Sequence, residues 1–228
     1  MSRLITAFAH DLRVPLRSIM MSAQRIQRRP EEFSPETKAK LEEIMAAARK
    51  QEELISSVVE FDHALQEGLA SDSPMALKLA IQTACMKVEA YRQAVQGTVS
   101  FDANAAPRLS APSGISRVVE KILQNGLKFQ APGNAPVLVV LAFEDPPGQV
   151  TIRVRDNGIG IERQYRGTVF EPFKRLHPAS EYPGSGLGLA ICQKSLASIG
   201  GTIGFEDDGL EGRGIATVVR FPKLQMAA

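Results

Sequence analysis

The chain has 228 residues, of which 44% are hydrophobic and 23% charged, a balance typical of a globular protein with substantial cores. Its formal net charge is only +2, and its Lys and Arg residues are scattered between carboxylates. Both features argue against nucleic acid as a main partner. No apolar run approaches the ~20 residues of a membrane span, and no signal peptide is recognisable, so we expect a cytoplasmic chain. The two cysteines lack metal-type spacing.

Two long amphipathic helices are predicted for the first third of the chain. Pro30 ends the first helix, whereas Ser34 as N-cap and Pro35 at the first helical position begin the second. The second helix has an apolar stripe from Leu41 to Leu65. One hairpin cannot cover both stripes, so we expect a homodimer that forms a four-helix bundle. The stripe of the first helix consists of Leu4, Phe8, Leu12, Leu16, Ile19, Ala23 and Ile26.

The small, turn-prone stretch at residues 68 to 74 predicts a domain boundary, with domains at 1–69 and 75–228. Beyond it, helical and strand patterns alternate, which predicts an α+β sandwich with helices on one face. The predicted elements are a helix at about 76 to 94, a strand near 99 to 101, a helix capped by Ser113, a strand hairpin at 137 to 144 and 149 to 155, and strands near 202 to 205 and 216 to 221.

Two glycine-containing stretches of this second region suggest a nucleotide site. Asp156-Asn157-Gly158-Ile159-Gly160 follows a predicted strand directly, so a carboxylate and two flexible backbone positions lie at the end of a sheet element. Gly184-Ser185-Gly186-Leu187-Gly188-Leu189 opens an apolar-periodic helix, as expected for a helix N-terminus that binds phosphate. Each stretch alone is weak evidence. Their order, with a long lid at residues 162 to 183 between them, favours nucleotide binding.

Five segments, in this order, resemble the sensor histidine kinases of two-component signalling. They are the phosphoacceptor box Phe8-Ala9-His10-Asp11-Leu12-Arg13-Val14-Pro15-Leu16-Arg17, the N box Asn125-Gly126-Leu127-Lys128-Phe129, the G1 box Asp156 to Gly160, the F box Phe170-Glu171-Pro172-Phe173, and the G2 box Gly184 to Leu189. Residues 175 to 184 are similar to phytochrome-type kinases. The resemblance implies an all-α helical hairpin, a four-helix bundle as a dimer, followed by an α+β sandwich of the histidine kinase, Hsp90 and gyrase ATP-binding type.

In the first domain, the resemblance implies that His10 is the phosphoacceptor and that Asp11 orients or deprotonates its imidazole. By helical position, Arg13 and Arg17 share the face of His10, where they would favour an incoming phosphate. Pro15 removes a helical amide donor, so we expect a bend beside His10.

In the second domain, the resemblance implies that Asn125 binds Mg²⁺ and that Asp156 accepts the adenine amino hydrogen of ATP. Phe170 and Phe173 are expected to pack within the lid, and His63 and His177 are expected to have no catalytic role. The other nucleotide-binding residues that it implies are Lys128, Phe129, Gly158, Gly160, Lys174, Arg175, Gly184, Ser185, Gly186, Leu187 and Gly188.

Three positions depart from the family pattern. Lys121 replaces an asparagine that usually begins the N box, and related ATPases have a water-activating glutamate there, so Lys121 argues against a hydrolase. Ile215 and Ala216 replace a small hydroxyl residue beside the adenine, which predicts modest ATP affinity. Val14 stands where many members have a Thr or Asn that positions water, which argues against phosphatase activity.

The sequence therefore predicts an ATP-dependent protein-histidine kinase that autophosphorylates His10 and transfers the phosphoryl group to an aspartate of a response regulator. Its sensor domain is expected to lie outside this chain. Two alternatives remain: a nucleotide-weak phosphotransfer or scaffold dimer without autokinase activity, and an ATPase switch of the gyrase or Hsp90 kind. Phosphorylation within one chain or between the two chains of a dimer also remains open.

Overall fold

The computed structural model describes residues 2–28, 33–69, 73–102, 109–178, 180–210 and 212–224. These residues form two compact units, Met1–Gln66 and Glu67–Ala228. The division falls next to the stretch at residues 68 to 74, part of which lies outside the described residues. Within the described ranges, none of the helices is both long and apolar enough to cross a membrane.

The first unit is a helical hairpin of α1 (Ser2–Gln27) and α2 (Pro35–Gln66), which pack against each other. The backbone amide of Thr37 donates to the Ser34 hydroxyl at 3.2 Å. Ser34 therefore caps α2 and Pro35 occupies its first position, as predicted. The predicted helix stop at Pro30 lies outside the described residues.

The hairpin buries only one flank of the apolar stripe on α1. Ala23 packs with Leu41 and Met45 of α2 in a small apolar cluster. On the neighbouring flank of α1, four large apolar side chains remain 39% to 64% exposed: Phe8, Leu12, Ile19 and Ile26. At 100° per residue, these four lie within about 40° of one another around the helix axis. A single chain thus leaves a continuous apolar strip uncovered.

The second unit contains a five-stranded sheet with the strand order β2-β4-β5-β7-β6. Strand β2 pairs with β4 in parallel, and the other three pairs are antiparallel. A separate antiparallel pair joins β1 to β3. The strands are β1 (Pro74–Ala76), β2 (Thr98–Phe101), β3 (Ser110–Pro112), β4 (Val137–Glu144), β5 (Gln149–Asp156), β6 (Thr202–Glu206) and β7 (Ala216–Pro222).

Three helices cover one face of this sheet: α3 (Leu77–Ala94), α4 (Ile115–Lys128) and α5 (Gly188–Ala197). Ile152 and Val219 are fully buried in the core cluster that these helices share with the sheet. On the other face, the Arg153 guanidinium pairs with Glu206 at 2.7 Å. Apolar and charged side chains thus alternate along β5, and the unit is the predicted α+β sandwich with its helices on one face.

One local prediction was wrong, and two short strands were missed. Gly114, not Ser113, is the N-cap of α4, and no side chain caps this helix. Ser113 contributes its carbonyl oxygen, which accepts from the Ser116 hydroxyl at 3.0 Å. The short strands β1 and β3 were not predicted, because three residues are too few to display a period of two.

Candidate nucleotide and phosphoacceptor sites

The Asp156 carboxylate lies at the end of β5 on the helix-covered face and is 8% exposed. Its Oδ1 atom accepts hydrogen bonds from the backbone amides of Gly158, at 2.9 Å, and Ile215, at 3.3 Å. Oδ2 makes no hydrogen bond within the described residues. Burial raises the pKa of Asp156 to about 6, against the opposing effect of the two amides. One oxygen is therefore fixed and the other remains available to a ligand.

Two glycines permit the backbone to close around Asp156. A Cβ atom on Gly214 would lie 2.0 Å from the Asp156 carbonyl oxygen, and Gly214 has a φ of +72°. A Cβ atom on Gly158 would lie 2.4 Å from the Phe129 carbonyl oxygen. A side chain at either position would displace the carboxylate or its surrounding loop.

Asn157 holds this loop in place and was not among the predicted site residues. Its Oδ1 accepts from the Val137 amide at 2.8 Å, and its Nδ2 donates to the Ala135 carbonyl at 3.0 Å. The side chain is 4% exposed, so it acts within the structure and not on a ligand. Only the tertiary contacts show this anchoring role, because both partners lie 20 and 22 positions earlier in the chain.

The N box brings an amide and a cation to the end of α4. Asn125 is half-buried, and its side chain has no hydrogen-bond partner within the described residues. The Lys128 ammonium lies 4.4 Å from the centre of the Phe129 ring and 3.1 Å from where a Cβ atom of Gly184 would be. Burial, and secondarily the charge of Arg175, lowers the pKa of Lys128. Lys128 thus lies beside the G2 loop, as a phosphate contact requires.

The G2 loop leads into the N-terminus of α5. Gly186 has a φ of +73°, and a Cβ atom there would lie 2.9 Å from the Phe173 carbonyl carbon. The Ser185 hydroxyl accepts from the Leu187 amide at 3.3 Å, and no side chain caps the helix, which begins at Gly188. Leu187 is fully buried, and its backbone amide and carbonyl both bind within the protein, so this residue supports the loop from the inside. The first amides of α5 are placed to meet an anion.

The lid residues have different surroundings. Lys174 is exposed, whereas the Arg175 guanidinium donates to the Tyr182 carbonyl at 2.7 Å. Phe170 is buried and stacks on Phe205 at 5.3 Å between ring centres, as expected for lid packing. Phe173 contradicts that expectation, because it is 60% exposed with a φ of +65°. Its amide donates to the Gly186 carbonyl, and Phe173 lies within the tight turn that the Lys174 amide closes on the Glu171 carbonyl.

His10 lies on α1 with 76% of its side chain exposed. Its Nδ1 atom is 3.4 Å from Asp11 Oδ1, a long contact that spacing alone did not predict. The Arg13 guanidinium donates to the Ser56 hydroxyl of α2 at 3.0 Å, so it is engaged within the hairpin. Arg17 is exposed and lies within about 20° of His10 around the helix.

Residue 215, where the family pattern has a small hydroxyl residue, still contributes to the Asp156 site. The Ile215 side chain is buried, and its amide, not a hydroxyl, holds Asp156. Thr217, which is 7% exposed, lies opposite Val154 on β5. Residues 154 and 156 share a face of the strand, so a hydroxyl is present on the same face as Asp156, further along the chain than the pattern suggested.

Comparison with known proteins identifies both units. The family model of histidine kinase-, DNA gyrase B- and HSP90-like ATPases matches residues 110–225, and that of the His kinase A phosphoacceptor domain matches residues 1–66. The signal transduction histidine-protein kinase/phosphatase MprB of Mycolicibacterium paratuberculosis is 29% identical over 90% of this chain and 40% of its own length. Sensor histidine kinase CpxA of Escherichia coli is 27% identical over 92% of this chain and 45% of its own.

Solved structures agree at the level of the fold. Full-length ShkA in complex with AMPPNP matches with a TM-score of 0.77 at 20% identity, over all of this chain and 47% of its own. A structure of mycobacterial MprB matches with a TM-score of 0.55 at 28% identity, over 68% of this chain and 99% of its own.

A phosphoacceptor hairpin followed by an ATPase-like sandwich defines a class of signalling proteins. The chain belongs to the sensor histidine kinases of two-component systems. It spans less than half the length of the curated relatives described above. The phytochrome subtype stays a prediction.

Proposed function

We propose that this chain is the core of an ATP-dependent protein-histidine kinase, which phosphorylates His10 and transfers the phosphoryl group to an aspartate of a response regulator receiver domain. Family membership supports the reaction class. The observation that carries the proposal is the contact between His10 Nδ1 and Asp11 on an otherwise exposed side chain.

That contact supports Nε2 as the nitrogen that reacts. A proton on Nδ1 is shared with the Asp11 carboxylate, which leaves the lone pair on Nε2. Nε2 attacks the γ-phosphorus of ATP, a P–N bond forms, the bond to the β–γ bridging oxygen breaks, and ADP leaves. Asp11 stabilises the positive charge that develops on the imidazole. In the second step, a receiver carboxylate attacks the same phosphorus, the P–N bond breaks, and neutral His10 is restored.

The Asp156 site supports the choice of ATP. Oδ2 is free to accept a hydrogen from the 6-amino group of adenine, while Oδ1 is held by the Gly158 and Ile215 amides. Guanine presents a carbonyl at that position, which would be repelled by the carboxylate. The site therefore favours adenine over guanine by charge and hydrogen-bond direction.

The phosphates would lie between the N box and the start of α5. Lys128, Lys174 and the amides of Gly186 and Gly188 provide positive charge and donors there. Catalysis then consists of positioning and charge neutralisation, because phosphoryl transfer needs little covalent help from the protein.

Asn125 fits the role of a Mg²⁺ ligand. Its amide oxygen has no competing partner within the described residues, and Mg²⁺ prefers oxygen and keeps most of its ligands as water and phosphate. Among the described residues, no group of three or more His, Cys, Asp or Glu side chains is placed to hold a metal. When bound with ATP, Mg²⁺ would neutralise phosphate charge.

Incubation of the chain with γ-labelled ATP and Mg²⁺ tests the proposal. We expect acid-labile protein label that is lost in His10→Ala and retained in the control His63→Ala, with equal affinity for a non-hydrolysable ATP analogue in both. If the wild-type chain neither becomes labelled nor binds nucleotide, the result would support the scaffold alternative. Release of free phosphate that persists in His10→Ala would support the ATPase alternative.

We also propose that the chain acts as a homodimer through the exposed apolar strip Phe8, Leu12, Ile19 and Ile26 of α1. A second hairpin would cover this strip in a four-helix bundle. Ile19→Glu should weaken dimerisation in sedimentation equilibrium at least tenfold. The matched control is Met21→Glu, since Met21 is similarly exposed but lies off the strip. Equal effects of the two substitutions would contradict this interface.

The longer relatives support a further proposal, that an input domain regulates this core within a longer protein. A response regulator receiver domain would be its downstream partner. Phosphotransfer from labelled chain to candidate receiver domains measures this, with a receiver that lacks its acceptor aspartate as the control.

A further inference from the structure

Tyr182 is the most buried aromatic residue in the later half of the lid, and the roles assigned above make no use of its side chain. It is 8% exposed, although the residues on either side, Glu181 and Pro183, are exposed. It lies two residues before the G2 loop in the chain. A large buried side chain in a segment that is otherwise exposed or half-buried indicates a point where this part of the lid is fastened.

The Tyr182 ring packs against the end of the N box. Its centre is 5.1 Å from that of Phe129 and 5.2 Å from that of His177. The Phe129 ring in turn lies 4.4 Å from the Lys128 ammonium. The carbonyl of Tyr182 accepts from the Arg175 guanidinium at 2.7 Å. A single lid residue therefore contacts Arg175 directly and is linked to Lys128 through the Phe129 ring.

The Tyr182 hydroxyl connects the lid to the Asp156 loop. It donates to the Gln130 carbonyl at 2.9 Å. The Asn134 side-chain nitrogen donates to the Gln130 side chain at 2.6 Å. The same nitrogen also donates to the Asn157 carbonyl at 3.0 Å. Asn157 adjoins Asp156. The lid and the Asp156 loop are thus joined through Gln130, whose backbone carbonyl binds the Tyr182 hydroxyl and whose side chain binds Asn134.

We propose that Tyr182 is a positioning residue that latches the C-terminal arm of the lid onto the end of the N box and so sets the G2 loop for the nucleotide phosphates. The inference rests on the proposed ATP site. Ordering of the lid before ATP arrives removes part of the entropy cost of binding, so the latch acts on nucleotide affinity more than on the chemical step.

Tyr182→Phe in the full 228-residue chain removes the hydroxyl but retains the ring. Its matched control is Tyr165→Phe, which alters a half-exposed tyrosine at the other end of the lid. We expect Tyr182→Phe to raise the dissociation constant of a non-hydrolysable ATP analogue about threefold to tenfold, the range that one hydrogen bond accounts for. The KM for ATP should rise by the same factor while kcat changes less than twofold. Tyr165→Phe should leave both unchanged.

Backbone hydrogen exchange without nucleotide provides a readout that does not require kinase activity. Exchange at residues 180 to 187 should quicken in Tyr182→Phe, and more in Tyr182→Ala, but not in Tyr165→Phe. Unchanged exchange in both Tyr182 variants would overturn the latch, as would a loss confined to kcat. If the wild-type chain forms no phosphohistidine while the Tyr182 variants still loosen the lid, the proposed function fails and the latch stands.

Discussion

The surroundings of His10 and those of Asp156 differ in opposite directions in exposure and in the number of contacts. His10 is 76% exposed and has one long contact, to Asp11 at 3.4 Å. Asp156 is 8% exposed, and two backbone amides and two glycines surround it closely. The proposed nucleophile is thus accessible and loosely held, whereas the carboxylate proposed to bind adenine is buried and closely surrounded.

The proposed reaction explains the difference. His10 must be reached twice, by the γ-phosphoryl group and by a receiver carboxylate, and a buried imidazole would admit neither partner. In the proposed reaction, adenine is recognised by a hydrogen bond to a buried carboxylate, so this acceptor has to be fixed beforehand. Preorganisation at Asp156 has a cost, since burial of a carboxylate disfavours its charged form.

The largest effect should come from a methyl group added to the backbone that packs against Asp156. Gly214→Ala places a methyl group 2.0 Å from the Asp156 carbonyl at a left-handed φ of +72°. Strain and overlap together should lower the free energy of unfolding of the second domain by about 3–5 kcal/mol and abolish nucleotide binding.

Gly212→Ala is the matched control for this prediction. Gly212 has a similar φ of +71°, but no atom lies within 4 Å of the position that its methyl group would take, so strain alone should cost about 1–2 kcal/mol. Thermal unfolding and calorimetric titration with an ATP analogue measure both quantities. Equal losses in the two variants would show that the close approach to Asp156 is unimportant.

An intermediate effect is expected from Asp156→Asn, which should weaken ATP-analogue affinity about 10-fold to 100-fold.

The pH dependence of the stability of the domain provides a second measurement. Folding raises the pKa of Asp156 to about 6, so the stability that this group contributes is fully present below its unfolded value of ~3.9 and is lost as pH rises through about 6. Relative to Asp156→Asn, the wild-type domain should lose about 2–3 kcal/mol between pH 4 and pH 7. A constant difference across that range would contradict the burial effect.

The smallest effect should come from a substitution beside the exposed His10. Asp11→Asn retains a side-chain oxygen beside His10 Nδ1 but removes the charge that stabilises the imidazolium, so autophosphorylation should slow about tenfold. Nucleotide affinity and thermal stability should not change. Glu36→Gln, an exposed substitution in the first turn of α2, serves as the control. A rate loss above a thousandfold would mean that His10 is as closely preorganised as Asp156.

Local patterns predicted most of the fold. Ser34 and Pro35 predicted the start of α2 because capping is a short-range interaction. The alternation in residues 149 to 155 predicted β5, and hence the place of Asp156 at its end. Phe173 and Ser113 were predicted wrongly, since the direction of an aromatic side chain in a tight turn and the choice between adjacent caps depend on contacts from elsewhere.

The sequence by itself determined the two domains' fold class, the order of the five motifs and the chemical identity of the reacting groups, because these depend on residue type and short-range spacing. Only the tertiary structure decided which partners each group has. The residues that Asn157, Ile215 and Tyr182 contact lie 20 to 59 positions away from them in the chain. No local pattern encodes such pairings, since they arise when a sheet and its covering helices bring distant backbone amides and carbonyls together.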